Sequence, residues 1–187
     1  MKRRATFGVT ILLAHVFALF VADIPAQAER STLEYAVKAA YLYKFTPFIE
    51  WPASAFASPG SPFYVCVFGA DPFGASLDQA LSGHQVGDHP VKVRRLSNGE
   101  AASECHILYF GATPGPAAAA ALNKVRGAPV LTVTEQNMGV SGGVVQFVVR
   151  DGHVRFTIDA SAAATNHVTI SAKLLSLAAS TRPGPRP

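Results

Sequence analysis

Phe63-Tyr64-Val65-Cys66-Val67-Phe68 is an unbroken apolar run, and Cys105 to Phe110 is a second. A strand with one wet face alternates apolar and polar residues, so runs without alternation belong to strands covered on both faces. Two such strands require a sheet packed between layers of helix. The intervening chain supplies them. Asp71-Pro72 opens a short helix carrying Phe73, Leu77 and Leu81, and Pro114 to Val125 is an alanine-rich helix. Val91 to Leu96 alternates, with Lys92 and Arg94 on one side, and Pro129 to Val133 is a further strand. The order strand, helix, strand, strand, helix, strand predicts a mostly parallel sheet. Beyond it, Val144–Arg150 and Val154–Ile158 flank Asp151-Gly152, or Asp151-Gly152-His153 if the turn is longer, and Asp-Gly between apolar runs is the strongest short signal for a hairpin. Ala160 to Ala164 and Ser171 to Ala179 read as closing helices. The expected fold class is therefore α/β: a single domain with a mixed, mostly parallel β-sheet and an antiparallel C-terminal hairpin, flanked by helices.

The chain starts with Lys2, Arg3 and Arg4, an apolar run from Phe7 to about Ala22, then Pro25 and Ala26-Gln27-Ala28. This is the order of a secretory signal, with a small-residue site for the peptidase. The run is shorter than the roughly 20 residues of a membrane span. Residues 1–28 are read as a cleaved signal, residues 29–179 as the domain, and 180–187, Ser-Thr-Arg-Pro-Gly-Pro-Arg-Pro, as a disordered tail. Without residues 1–28, 13 Lys and Arg face 11 Asp and Glu, a net charge of +2. Arg94-Arg95 is the only basic pair, which argues against a surface that tracks phosphates, and hence against nucleic acid as a partner. In an exported chain two cysteines, Cys66 and Cys105, read first as a disulfide, and otherwise as two buried thiols.

Ser31-Thr32-Leu33-Glu34 has the form of a capping box at a helix start. At helical period Leu33, Val37, Ala40, Tyr41 and Phe48 share one face, while Tyr35, Leu42, Phe45 and Ile49 cover much of the other. Such a helix is buried on both sides, or buried on one and docked to a partner on the other. Pro47 disfavours helix at Thr46, and Trp51-Pro52 closes the segment. The aromatic cluster Tyr41, Phe45, Phe48 and Trp51 is the candidate protein-binding surface, shared between self-association and a partner.

Signals for chemistry are weak. Gly69-Ala70-Asp71-Pro72-Phe73-Gly74 follows a strand and opens a helix, but Ala70 to Phe73 place a carboxylate and a ring where a dinucleotide fold needs bare backbone. No G-x-x-x-x-G-K-[ST] occurs. His84, Asp88 and His89 sit in a polar, glycine-bearing loop and are read as solvated rather than as metal ligands. His106 and Cys105 point to opposite sheet faces, which is awkward for a nucleophilic pair. Gly142-Gly143 reads as a bend or bulge, with a ligand-approach point as the alternative. No catalytic residue, metal or cofactor is assigned.

Ala39-Ala40-Tyr41-Leu42-Tyr43-Lys44-Phe45 through Trp51-Pro52 resembles the opening motif of the YfiR-like family of exported bacterial proteins. Further landmarks follow in that family's order. They are Cys66-Val67-Phe68-Gly69 with Asp71-Pro72-Phe73-Gly74, Arg94-Arg95-Leu96, and Cys105-His106-Ile107-Leu108-Tyr109. Leu131-Thr132-Val133, Gly142-Gly143, Val154-Arg155-Phe156-Thr157-Ile158-Asp159 and Ile170-Ser171-Ala172-Lys173-Leu174-Leu175 complete the series. The resemblance implies a periplasmic, dimeric, non-catalytic protein that restrains an inner-membrane diguanylate cyclase by binding its sensor region. It implies sequestration by a peptidoglycan-associated outer-membrane lipoprotein, and so control of cyclic di-GMP and biofilm formation. The family disulfide falls on Cys66 and Cys105. A second family bridge, near Gly142-Gly143, has no cysteines here. The alternative function is a periplasmic small-molecule sensor or solute-binding module, since an α/β sheet often holds a ligand at its strand ends.

Overall fold

A computed structural model describes residues 25–97, 102–136 and 142–184. Most of the segment read as a signal, residues 1–24, and the last three residues of the expected tail lie outside the described residues. The elements run α1 (Pro25–Lys44), β1 (Ile49–Glu50), β2 (Phe63–Phe68), α2 (Ala75–Leu81), β3 (Gln85–Val86), β4 (His89–Leu96), β5 (Ile107–Phe110) and α3 (Gly115–Lys124). They continue with β6 (Leu131–Glu135), β7 (Val145–Arg150), β8 (His153–Asp159), α4 (Ala160–Thr165), β9 (Thr169–Ile170), α5 (Ala172–Leu177) and β10 (Ser180–Arg182). The main sheet has the order β10-β8-β7-β6-β5-β2-β4-β3, and β1 pairs with β9 in a small separate ladder. Strands β4, β2, β5, β6 and β7 are mutually parallel, and β7–β8 is the expected antiparallel hairpin. Asp151 (φ 52°) and Gly152 (φ 72°) turn it in two residues, the left-handed pair that suits strand twist. The fold is the mixed, mostly parallel α/β domain expected.

The two unbroken runs become the central strands. Phe63, Val65, Val67, Ile107 and Tyr109 face α1 and α2 within the larger core cluster. Cys66, Phe68, Leu108 and Phe110 face α3 in the smaller one. The chain bends at His106 before β5 begins, so Cys105 falls into the α3-side core while the His106 ring stacks on Phe63 on the other side, centroids 4.6 Å apart. Cys66 and Cys105 form a disulfide across a Cα–Cα distance of 5.9 Å, joining the middle of β2 to the approach to β5.

Several expectations are corrected. Helix α1 starts at Pro25, so Ser31–Glu34 lies inside it and caps nothing. Glu34 reaches along the helix to Lys38 instead, at 2.5 Å. Helix α2 starts at Ala75 rather than Asp71, because the Asp71 carboxylate accepts the Phe73 amide and holds a turn first. The His84–His89 stretch is a tight β3–β4 hairpin rather than a free loop. The start of the tail does not dangle. Ser180–Arg182 pairs in parallel with Thr157–Asp159, and Arg182 donates to Asp159 at 2.8 Å. Proline content obscured this, since Ser180–Arg182 precedes the prolines and takes the free edge of β8.

Candidate functional site

The parallel strands reverse direction of winding between β2 and β5, the place where open α/β sheets most often bind ligands. Here that place is shut. Ala70 and Ala112 bridge across it, and Gly111 lies so close that a Cβ there would sit 1.9 Å from the Ala70 carbonyl oxygen. The Gly69–Gly74 turn is filled by the chain itself. Arg95 donates to Asp71 (2.8 Å), Asp78 (2.6 Å) and the Gly74 carbonyl (2.9 Å). The Arg95 hydrogen bonds hold the Asp78 carboxyl below its usual range. Phe73 is buried edge-on against Tyr109, 4.6 Å between centroids. A phosphate would meet two carboxylates and a ring.

His84, Asp88 and His89 do not converge. The His84 ring stacks on Tyr43 at 4.1 Å, and His89 stacks on Phe56 at 3.8 Å while its Nδ1 donates to the Ser61 carbonyl. His89, Phe56, His106, Phe63 and Trp51 form a continuous ladder of rings at the amino ends of the strands. Gly142 adopts φ 109°, and Gly143 packs against Thr134, which places the bend before β7.

The aromatic cluster proposed for binding is divided between core and surface. Phe45 is fully buried and meets Phe147 and Phe156. Trp51 is half-buried, donates its indole N–H to the His106 carbonyl at 3.2 Å and packs edge-on to Phe63. Phe48 is half-buried with the Lys173 ammonium 5.5 Å over its ring. Only Tyr41 reaches a surface groove, while its ring packs on Phe45 and Phe156. That groove encloses about 650 Å³ between α1 and the β7–β8 hairpin, with Leu33, Val37, Tyr41, Val149 and Val154 as its apolar part. Leu33 is 67% exposed and Val149 48%. The two-sided helix thus buries Ala39, Leu42 and Phe45 and leaves Leu33 and Val37 uncovered. Arg30, Arg155 and Glu34 stand around the groove. Val149 was the member hardest to foresee, because strand alternation puts it on the core side and only the open end of the hairpin exposes it.

Sequence reading also missed a buried charge cluster. Lys38 is 1% exposed and Glu135 5%. The Lys38 ammonium bridges Glu34 at 2.5 Å and Glu135 at 2.9 Å, and the Tyr109 hydroxyl donates to the other Glu135 oxygen. Burial disfavours the Lys38 ammonium, but its hydrogen bonds to Glu34 and Glu135 win and raise its pKa. Burial, reinforced by Glu135, pushes the Tyr109 phenol far up, and the Tyr35 phenol moves the same way. The available signal was Glu34–Lys38 at i, i+4, together with a carboxylate ending a strand that is otherwise covered on both faces.

A sequence model described as YfiR/HmsC-like matches residues 35–179. The chain belongs to the YfiR/HmsC-like family. The match spans nearly the whole described domain, from the first helix to the last residue before β10. No curated protein sequence matches the chain. Among the described residues of this YfiR/HmsC-like protein, no helix is long and apolar enough to cross a membrane.

Proposed function

We propose that the protein is a non-catalytic periplasmic regulator that binds the sensor region of an inner-membrane diguanylate cyclase and restrains it. Envelope state would thereby be coupled to cyclic di-GMP and biofilm formation. Family membership supports the regulatory role. The observation that carries the binding role is the uncovered apolar groove of α1 and the β7–β8 hairpin. Exposed apolar side chains gathered in one concavity, with arginines at the rim, have the make-up of a protein interface. The surface proposed for docking is therefore Leu33, Val37, Tyr41, Val149 and Val154, with Phe45 beneath as its support. Self-association as a homodimer, and capture by a peptidoglycan-associated lipoprotein, are further uses of the same apolar face.

Leu33→Asp and Val149→Asp test this reading directly. Both sites are exposed, so each variant should keep its melting curve within about 0.5 kcal/mol of the parent. Loss of an anchor should weaken association with the cyclase sensor region by about 30-fold, close to 2 kcal/mol. In cells the folded variants should raise cyclic di-GMP. If deleting the gene leaves cyclic di-GMP and surface attachment unchanged in a strain carrying such a cyclase, the regulatory reading fails. Export is checked separately by intact mass: periplasmic protein should begin at Glu29.

A further inference from the structure

A second concavity, of about 400 Å³, lies on the sheet face turned away from α1 and shares no residue with the docking groove. On that face α3 covers β2 and β5 through Cys66, Phe68, Leu108 and Phe110. Further along, strand register sets four polar side chains in one row across β6, β7, β8 and β10. Thr134 stands opposite Gln146, Gln146 opposite Thr157, and Thr157 opposite Ser180. The row spans three strand spacings, about 14 Å, and all four residues line the cavity. Its volume falls within the range of small-molecule sites, roughly 300–1,000 Å³.

Solvation of an uncovered sheet face accounts for Gln146, Thr157 and Ser180, but not for Thr134. That side chain is 1% exposed, and its hydroxyl is buried with no hydrogen-bond partner. An unpaired buried hydroxyl is costly, and valine would fill the same space without that cost. Opposed polar side chains on neighbouring strands commonly bond one another, yet among the described residues none of these four does. The row therefore offers three hydroxyls and an amide, each able to donate and to accept. The cavity also carries an excess of positive charge. Its charged residues are Arg150, Arg182 and Asp159. Asp159 is committed, since one oxygen accepts the Ser161 and Ala162 amides and the other takes Arg182 at 2.8 Å. Arg150 forms no ion pair among the described residues. Val148, 3% exposed, lies between Gln146 and Arg150 on the same face and supplies an apolar floor.

We propose that this cavity binds a small hydroxylated carboxylic acid of the sugar-acid type. Its hydroxyls exchange hydrogen bonds with Thr134, Gln146, Thr157 and Ser180. The C–H face of its ring rests on Val148, and its carboxylate pairs with Arg150. One free guanidinium matches the single charge of a carboxylate rather than the near-double charge of a phosphate. The site does not depend on the cyclase reading.

Calorimetric titration of the purified protein at low ionic strength with D-glucuronate, D-galacturonate, glucose and glutarate tests the proposal. At least one uronate should saturate, glucose should bind about tenfold more weakly for want of the charge, and glutarate should not saturate. Thr134→Val keeps the shape of the side chain and removes the unpaired hydroxyl. It should leave the melting temperature unchanged or raised while weakening uronate binding about fivefold. Arg150→Gln, at an exposed position, should bring uronate affinity down to that of glucose. Failure of both uronates to saturate at millimolar concentration overturns the proposal. So does glucose or glutarate binding as tightly as the uronates, or uronate binding that neither variant weakens. If Thr134→Val does not fold, Arg150→Gln decides by the same criterion.

Discussion

Lowering the pH to about 5 should destabilise this protein through one side chain, His106, before its carboxylates matter. His106 is 3% exposed and lies between Phe63 and Phe56, with centroids at 4.6 and 4.7 Å. Its Nδ1 accepts the Tyr64 amide proton at 3.0 Å, so the neutral ring carries its own proton on Nε2. Burial lowers the pKa from 6.5 to about 4, and the charge of His89 pushes the same way, while the Ala55 backbone offsets part of it. A folded pKa below the unfolded one means that the unfolded chain binds more protons between those values. Stability is then fully present above the unfolded pKa and drains as pH falls towards the folded one. The 2.5-unit difference corresponds to about 3 kcal/mol in full, of which about 2 kcal/mol is lost by pH 5. Asp78 and Asp159 have depressed pKa values, so their contributions drain only at lower pH and are common to any His106 variant. His106→Asn keeps an acceptor near the Tyr64 amide and removes the titration. Urea unfolding of both proteins at about pH 7.5 and pH 5 should show the parent losing about 2 kcal/mol more than the variant. Parallel losses would refute the assignment of this pH dependence to His106.

Cys105→Ser should cost about 2–5 kcal/mol by denaturant titration, consistent with roughly 4 kcal/mol for closing a loop of this size. Ellman titration of denatured, unreduced protein should find no thiol. Phe45→Ala should lose about 3–5 kcal/mol of stability, as a core truncation rather than an interface one. Lys38→Met should cost about 3 kcal/mol, because it leaves the buried Glu135 charge with only the Tyr109 hydroxyl, and Lys38→Met with Glu135→Leu should recover most of that. Truncation after Ala179 should lower stability by about 1 kcal/mol, since it removes the β10 ladder and the Arg182–Asp159 pair. An unchanged melt would return that segment to the status of a free tail.

Local pattern determined much of this protein. The unbroken runs at 63–68 and 105–110 required a sheet covered on both faces, because such runs have no wet side. Asp151-Gly152 pointed to a hairpin, because few other pairs tolerate two left-handed residues, and the pairing of Arg150 with His153 made its turn two residues long. The family resemblance was legible for the same reason, its motifs being short contiguous stretches of the chain. Only tertiary structure decided which side of α1 stays uncovered. Leu33 and Phe45 carry similar apolar signals, and what separates them is that Phe147 and Phe156 come to lie against one and not the other. It also decided the Lys38–Glu135–Tyr109 cluster, whose members are distant in sequence and meet because α1 crosses the ends of β5 and β6. The edge strand β10 is the plainest case. Ser180–Arg182 has no strand pattern of its own, and its conformation is imposed by the unpaired backbone of β8 beside it.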